Sequence, residues 1–443
     1  MSTGLPFQSR RRRRVLSRAS AAWVARNYNA TLDALVDVTG NGLHARLGSS
    51  VGADSNDPLR LRWSGRKEVY FTGSNNDSIS MPDRAEFAVA GVLTIELFSS
   101  DYVWNKADGN ERYFVAQYAA GQAAIVFGHT GAGLLVLYTS ANGSTQRTAF
   151  STVAMPYAAG GAAKVTRDPA TGDVTFFHSE DGVTWTQLGD VVSTTAEGIH
   201  DSTQTMYIGG LGNVPGGMIF GRLAWLRVYD GSTKIIDFDA ALLVEPYSSA
   251  TDSCGNVLTL NRGTSGRKLT VVDRDLLLLG SDDYLEVPDS PLLNFGAGQT
   301  GTLVWFGRYY GATVGFMSLM QKKVDGFASD VGYRFNTANT DEANLLISDG
   351  TNQDNPSYAG LLPGVASMVS ATFTPSRNSV YRGGTILGSG ARTAGSLSVS
   401  RVLQLGRQGS SYANVEFIGA AIFREDLSPA QRRQLAAEIG VAQ

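Results

Sequence analysis

The sequence predicts an all-β protein made of two tandem antiparallel β-sandwiches and one short C-terminal helix. Three observations predict it. The chain carries 51 Gly, 17 Tyr and 19 Phe with only 17% charged residues, a composition of many turns joining aromatic-rich strands. The local signal is β in stretches such as Leu134 to Tyr138, Asp173 to Phe177 and Ser367 to Phe373, which lie between Gly, Asn and Asp clusters. The two halves of the chain repeat the same landmarks in the same order, which leaves about 200 residues for each sandwich.

The landmarks can be followed from the N-terminus. Asp37-Val38-Thr39-Gly40-Asn41 answers Asp252-Ser253-Cys254-Gly255-Asn256. Gly73-Ser74 with Met81-Pro82-Asp83 answers Gly280-Ser281 with Val287-Pro288-Asp289, and Phe87 answers Phe295. The strand Gly91 to Leu97 then answers Gly301 to Phe306, Tyr207-Ile208-Gly209 answers Gln404-Leu405-Gly406, and Phe220 to Arg227 answers Phe417 to Arg424. Collinear agreement indicates duplication and places a basic arm at 1–20, a first sandwich at 21–232 and a second at 233–443.

The elements follow in order. The arm holds Arg10, Arg11, Arg12, Arg13 and Arg14, with Arg18 beyond. It looks like a twin-arginine export signal, yet Arg26 and Asn27 interrupt the following stretch before a hydrophobic core of about 7–15 residues can form, so no signal peptide is expected. Within the first sandwich, alternation over Phe220 to Arg227 predicts Leu223 and Trp225 on one face and Arg222, Ala224 and Leu226 on the other. Asp230-Gly231 leads into Lys234 to Asp239, the expected opening strand of the second sandwich. The terminal helix has Ser428 as N-cap, Pro429 at its first position, an apolar stripe of Leu435, Ala436 and Ile439, and Gly440 as its stop.

Composition also excludes function classes. A formal net charge of −3 gives the body no basic field, and no nucleic-acid partner is expected. The lone Cys254 rules out a disulfide framework or a thiolate metal cluster and is compatible with cytoplasmic synthesis. No run reaches the roughly 18 apolar residues of a membrane span; the longest candidate, around Leu276 to Leu279, is strand-sized, so no membrane partner is expected.

Tyr284-Leu285-Glu286-Val287-Pro288-Asp289-Ser290-Pro291-Leu292-Leu293-Asn294-Phe295, the strand through Trp305, the closing strand Phe417 to Arg424 with Asp426-Leu427-Ser428-Pro429-Ala430-Gln431, and the Asp-x-x-Gly-Asn loops together resemble the laminin G-like, concanavalin A-like lectin/glucanase family. The resemblance implies jelly-roll sandwiches with the first and last strands side by side. The second half carries the pattern well, whereas the first is more divergent and lacks the helix. Fold specificity is good and functional specificity poor, because such domains bind sugars or proteins or serve as structure.

Relatives that cleave glycans carry closely spaced carboxylates in a Glu-x-Asp-x-x-Glu run. That run is absent: Asp237 and Asp239 share a strand face, but Glu245 lies past the required spacing. No enzyme is expected. His44, His129, His178 and His200 are scattered and read as surface or loop residues, none at metal-ligand spacing. Gly128 to Gly133 is a hairpin loop rather than a phosphate cradle. Ser179 to Trp185 resembles an Asp-box turn, but reads better as an Asp-Gly hairpin whose carboxylate caps its own turn above Trp185. Asp37, Asn41, Asp252 and Asn256 are candidate calcium ligands, for which an Asx-turn is the simpler role. No other cofactor is indicated.

Tandem modules of this type behind a short basic arm resemble bacteriophage minor tail proteins. That resemblance implies a virion component, synthesised in the host cytoplasm and exposed on the tail or another part of the particle surface. Arg10 to Arg14 would bind other virion proteins, within an assembly that includes further copies of the chain, although no coiled-coil heptads specify an oligomer. Host-surface glycan is the further candidate ligand, with Tyr102, Trp104 and Tyr412 as loop aromatics that could meet it. A secreted bacterial carbohydrate-binding module is the second reading and needs an export signal. A divergent glycoside hydrolase is the third and needs paired carboxylates about 5–9 Å apart.

Overall fold

The computed structural model describes residues 15–441 apart from 49–58, 62–63, 75–76, 101, 105–108, 158, 213–216, 263–268, 280–282, 310–315, 324–329, 339–341, 363, 409–410 and 413–414. It is β throughout, with antiparallel sheets and the single α-helix Pro429–Ile439 among the described residues. The chain forms two compact units. One, the inserted unit, is Trp63–Arg274; the other, the split unit, combines Met1–Arg62 with Asp275–Gln443.

In the inserted unit an 8-stranded sheet runs from Gln146–Ala154 through Leu134–Gly143, Ala123–His129, Arg112–Gln117, Met206–Ile208, Ser78–Met81 and Val257–Asn261 to Ser249–Thr251. A 7-stranded sheet is built on Leu93–Ser99, flanked by Gly161–Arg167 and Trp225–Asp230. Leu93–Ser99 shows why these residues make strands. Leu93, Ile95 and Leu97 are wholly buried in the core, while Thr94, Glu96 and Phe98 alternate outward. The expected phase of Phe220 to Arg227 is corrected. Ala224 separates Phe220–Leu223 from Trp225–Asp230, so Leu223 and Leu226 both join the core and Trp225 does not. An interruption of that kind resets which face each residue takes.

The split unit repeats the plan. Its first sheet includes Ser367–Phe373, Gly301–Tyr309, Val415–Phe423, Leu276–Leu279 and Leu59–Leu61, with Ala21–Val24 beside Val415–Phe423. Its second contains Ala45–Leu47, Leu285–Val287, Leu403–Leu405, Phe316–Lys323, Gly332–Ala338 and Glu342–Ser348. The helix is capped as its sequence predicts. Ser428 and Gln431 form a reciprocal capping box, and Gly440 ends the helix in the left-handed region at φ 81°.

The two units share a strand plan but not a chain order. Ala21–Val24 lies against the closing strand Val415–Phe423 at the far end of the sequence, Trp23 opposite Ala420. Its counterpart Thr233–Asp239 pairs with the strand directly before it, Leu226 opposite Phe238. Ala45–Leu47 pairs with Leu285–Val287 as Val257–Asn261 pairs with Ser78–Met81. Leu59–Leu61 pairs with Leu276–Leu279 as Thr270–Val272 pairs with Glu68–Thr72. The inserted unit is thus a circular permutant of the split one: the segment that opens one closes the other.

The expected boundary between 21–232 and 233–443 is therefore corrected. The repeat identifies equivalent segments, but residues 233–274 complete the body before them, and the N-terminal segment completes the body after the insertion. The cause is local. Gly231, at φ 58°, closes a tight hairpin between Trp225–Asp230 and Thr233–Asp239, and a two-stranded ladder across so short a turn carries little closure entropy.

Candidate functional site

Tyr102 and Trp104 are core residues, which corrects their reading as ligand-facing loop aromatics: both are 1% exposed or less. The Trp104 indole N–H donates to Gly160 O at 2.6 Å, and its ring packs edge-on against Tyr102 at 5.1 Å. The segment folds inward because Gly221, at φ 138°, has no Cβ to strike the Tyr102 ring. His129 is corrected likewise; wholly buried, it meets the Tyr102 hydroxyl at 2.6 Å and Thr130 O at 2.8 Å. His178 lies half-buried on the strand Asp173–Ser179, 2.9 Å from the Tyr157 hydroxyl. His44 and His200 sit in loops. Tyr412 is on the strand Ser411–Tyr412, with its side chain outside the described residues, as are Arg10 to Arg14.

The calcium candidates occupy equivalent turns in which Asp37, Asp252 and Asn256 are buried and Asn41 is exposed. Asp37 accepts from the N–H groups of Ala22 at 3.1 Å and Thr39 at 3.0 Å, and from the Thr39 hydroxyl at 2.8 Å. Asp252 accepts from the N–H groups of Asp237, Cys254 and Asn256 at 2.7–2.9 Å, and from the Asn256 amide at 2.8 Å. Asn41 donates to Ser20 O at 2.9 Å and Asn256 to Ile235 O at 2.9 Å. These are Asx-turns that tie each opening strand to the turn behind it. Among the described residues no group of three or more His, Cys, Asp or Glu is placed to hold a metal. Asp181 caps its own turn, accepting from Val183 and Thr184 N–H at 2.8 Å each, and the half-buried Trp185 stacks under Lys164 at 4.4 Å.

The site that geometry assembles lies on the outward face of the 8-stranded sheet of the inserted unit. Phe114, Ile125, Phe127, Leu135 and Leu137 point into the core, so their neighbours Tyr113, Val126 and Tyr138 point away from it. With Tyr118, Gln146 and Leu211 they line a hollow of about 230 Å³. Its rings are held in place. Tyr113 and Tyr138 meet edge-to-face at 6.3 Å, and Tyr138 meets Phe150 at 6.5 Å. Glycines press on Tyr113 from two sides: a Cβ on Gly128 would stand 2.9 Å from its ring, and one on Gly217, at φ 70°, only 2.3 Å.

Both tyrosine hydroxyls donate to one carboxylate. Tyr113 reaches Glu111 at 2.6 Å and Tyr138 reaches both its oxygens at 2.8 and 2.9 Å. Burial, then the bond to Glu111 and its charge, push both phenols well above the ordinary tyrosine range. They are hydrogen-bond donors, not phenolates. The assembly offers ring faces, a carboxylate acceptor and an amide from Gln146, an arrangement suited to a ligand with C–H faces and hydroxyl edges.

Sequence reading missed these residues because they come from separate strands and share no motif. Leu134 to Tyr138 is apolar at every position, so nothing in it marks Tyr138 as outward-facing.

No protein-family profile matches the sequence, and no curated protein does. Among solved structures, the chain is similar to domains LG4-5 of the mouse laminin alpha1 chain, at 11% identity and TM-score 0.30 over 85% of this chain and 92% of that one. The LG1-3 region of the laminin alpha2 chain matches at 11% identity and TM-score 0.31 over 82% and 63%. A carbohydrate-binding module, CBM40, of a Ruminococcus gnavus sialidase matches at 15% identity and TM-score 0.27 over 31% and 83%. Each is a remote likeness.

Proposed function

We propose that this chain is a non-enzymatic carbohydrate-binding protein whose inserted unit takes a glycan in the hollow of Tyr113, Tyr118 and Tyr138. One observation carries the reading: tyrosine faces locked by glycine contacts and edge-to-face packing surround a carboxylate that already gathers hydroxyl hydrogens. Rigid aromatics lose little conformational freedom when a ligand stacks on them, and a carboxylate accepts from sugar hydroxyls as it does from phenols.

Binding without turnover is supported by how the candidate acid-base groups are engaged. Tyr113 and Tyr138 stay protonated, Glu111 is committed to them, and on the other sheet Asp237 is tied to Arg227 at 3.1 Å, Lys234 at 2.9 Å and Ser253 at 2.6 Å. The finer reading is a bacteriophage minor tail protein, made in the host cytoplasm and carried on the particle surface, with Arg10 to Arg14 docked on neighbouring virion proteins. The support for that role is the sequence resemblance of tandem laminin G-like modules behind a basic arm.

The test is glycan-array binding of the full chain beside Tyr138→Ala. Wild-type signal on at least one glycan, lost in the variant and without hydrolysis products, is the expected result. An empty array, or retained binding in Tyr138→Ala, overturns the assignment of the site.

A further inference from the structure

We infer that the tyrosine hollow selects an uncharged terminal pyranose and discriminates against carboxylated sugars such as sialic and uronic acids. This rests on the carbohydrate reading above and names the sugar class. The first observation is size. A hollow of about 230 Å³ is smaller than the roughly 300–1,000 Å³ of ordinary small-molecule sites, so it suits one ring at a chain end rather than an extended oligosaccharide.

The second observation is charge. Among the described residues no Lys, Arg or His lines the hollow, so nothing described there is built to pair with a sugar carboxylate. Glu111 is half-buried beside it and, among the described residues, has no cationic partner; its bonds are those from Tyr113 and Tyr138. A carboxylate whose hydrogen bonds come only from neutral hydroxyls sets up a negative potential behind the two phenols that line the hollow, and partial exclusion of water strengthens it. The basic residues around it are engaged elsewhere: Arg147 on the adjoining edge strand is bound to Glu197 at 3.0 Å, and Arg112, next to Glu111 in sequence, donates to Met218 O at 2.8 Å. A second carboxylate would be repelled, whereas a ring carrying only hydroxyls finds acceptors in Glu111 and the Gln146 carbonyl and an apolar floor in Val126 and Leu211.

The experiment uses the full chain against immobilised glucose, galactose, mannose and N-acetylglucosamine, with matched probes capped by sialic acid or glucuronic acid. At least one neutral probe binds, its acid-capped partner binds at least about tenfold more weakly, and raising the salt concentration narrows the gap. Glu111→Gln removes the charge while keeping an acceptor for both phenols, and brings the capped probe to within about threefold of the neutral one. Equal or tighter binding of the acid-capped probes by the wild type overturns the selectivity while leaving the glycan site standing. Silence on every probe overturns both.

Discussion

The equivalent strands Arg112–Gln117 and Phe316–Lys323 end on the same internal strut, made from different chemistry. In the inserted unit the wholly buried Gln117 amide donates to Asp83 at 3.0 Å, Ser202 O at 3.1 Å and Gln204 O at 3.0 Å. In the split unit the wholly buried Lys322 ammonium donates to Asp289 at 2.7 Å, Asn294 at 3.0 Å and Val399 O. The ammonium has only donors and spends them on three acceptors, while the amide leaves its own Oε1 without a partner. Burial pulls the Lys322 pKa down, against the pull of Asp289; burial raises that of Asp289, and the bonds from Lys322 outweigh it and lower it. The frame tolerates either solution because what it needs is a donor bridging a proline-aspartate loop to a second loop.

The outward faces diverge in the same way. The row Tyr207, Ala116, Val126, Tyr138 of the inserted unit corresponds to Gln404, Gln321, Arg334, Leu346 of the split unit. The latter is an amide ladder, Gln321 donating to Gln404 at 2.8 Å and Gln404 to Glu286 at 3.1 Å. The backbone registers coincide, whereas the residues of this face, which lie outside both apolar cores, differ, and Gln321, Arg334 and Leu346 are buried. Recognition chemistry is therefore expected in one unit rather than both.

The widest test of the comparison is Trp23→Ala. Trp23 is wholly buried in the segment that completes the split unit, and its indole N–H donates to Leu43 O at 2.5 Å. Loss of about 4 kcal/mol is expected in the calorimetric transition of the split unit alone. A shift confined to the inserted unit would restore the sequential domain boundary. Next comes Lys322→Met, which strands the partly exposed Asp289 and two further half-buried acceptors and is expected to cost about 3 kcal/mol in denaturant unfolding. Gln117→Leu at the equivalent position removes a neutral donor and should cost about 2 kcal/mol; a cost above that of Lys322→Met would show that charge is not what separates the struts.

Tyr138→Ala should weaken glycan binding at least about tenfold, measured by titration calorimetry, and Leu346→Ala at the equivalent position should leave it unchanged. The smallest effect concerns acid. Backbone N–H bonds from Thr184 and Val183, then the Ser179 hydroxyl, hold the Asp181 carboxyl down to about 2. A depressed folded-state pKa gives stability that is present above the unfolded value near 4 and is lost as pH falls toward about 2. Acid titration of Asp181→Asn should flatten within that window, the variant lying below the wild type in stability above it and converging on it as pH falls.

Much of the fold was legible because its signals are short-range. A short apolar run after Gly133 marked Leu134 to Tyr138 as a strand, and Ser428, Pro429 and Gly440 marked the helix through bonds between residues a turn apart. The site was not legible, because Glu111, Tyr113 and Tyr138 meet only when three strands pair in register. Arg432 was missed for the same reason: wholly buried, it donates to Thr372 at 2.6 Å and stacks on Tyr381 at 3.7 Å, contacts that a helical position does not announce.

From the sequence alone came the β class, the capped terminal helix and the equivalence of Asp37 to Asn41 with Asp252 to Asn256, each written in neighbouring residues whose dihedral preferences and hydrogen bonds act at short range. Tertiary structure decided which body each opening segment completes, and it sent Tyr102, Trp104 and His129 inward. The two opening segments present similar edges, so local pattern cannot choose between bodies. The tight turn at Gly231 and the packing of distant strands make that choice.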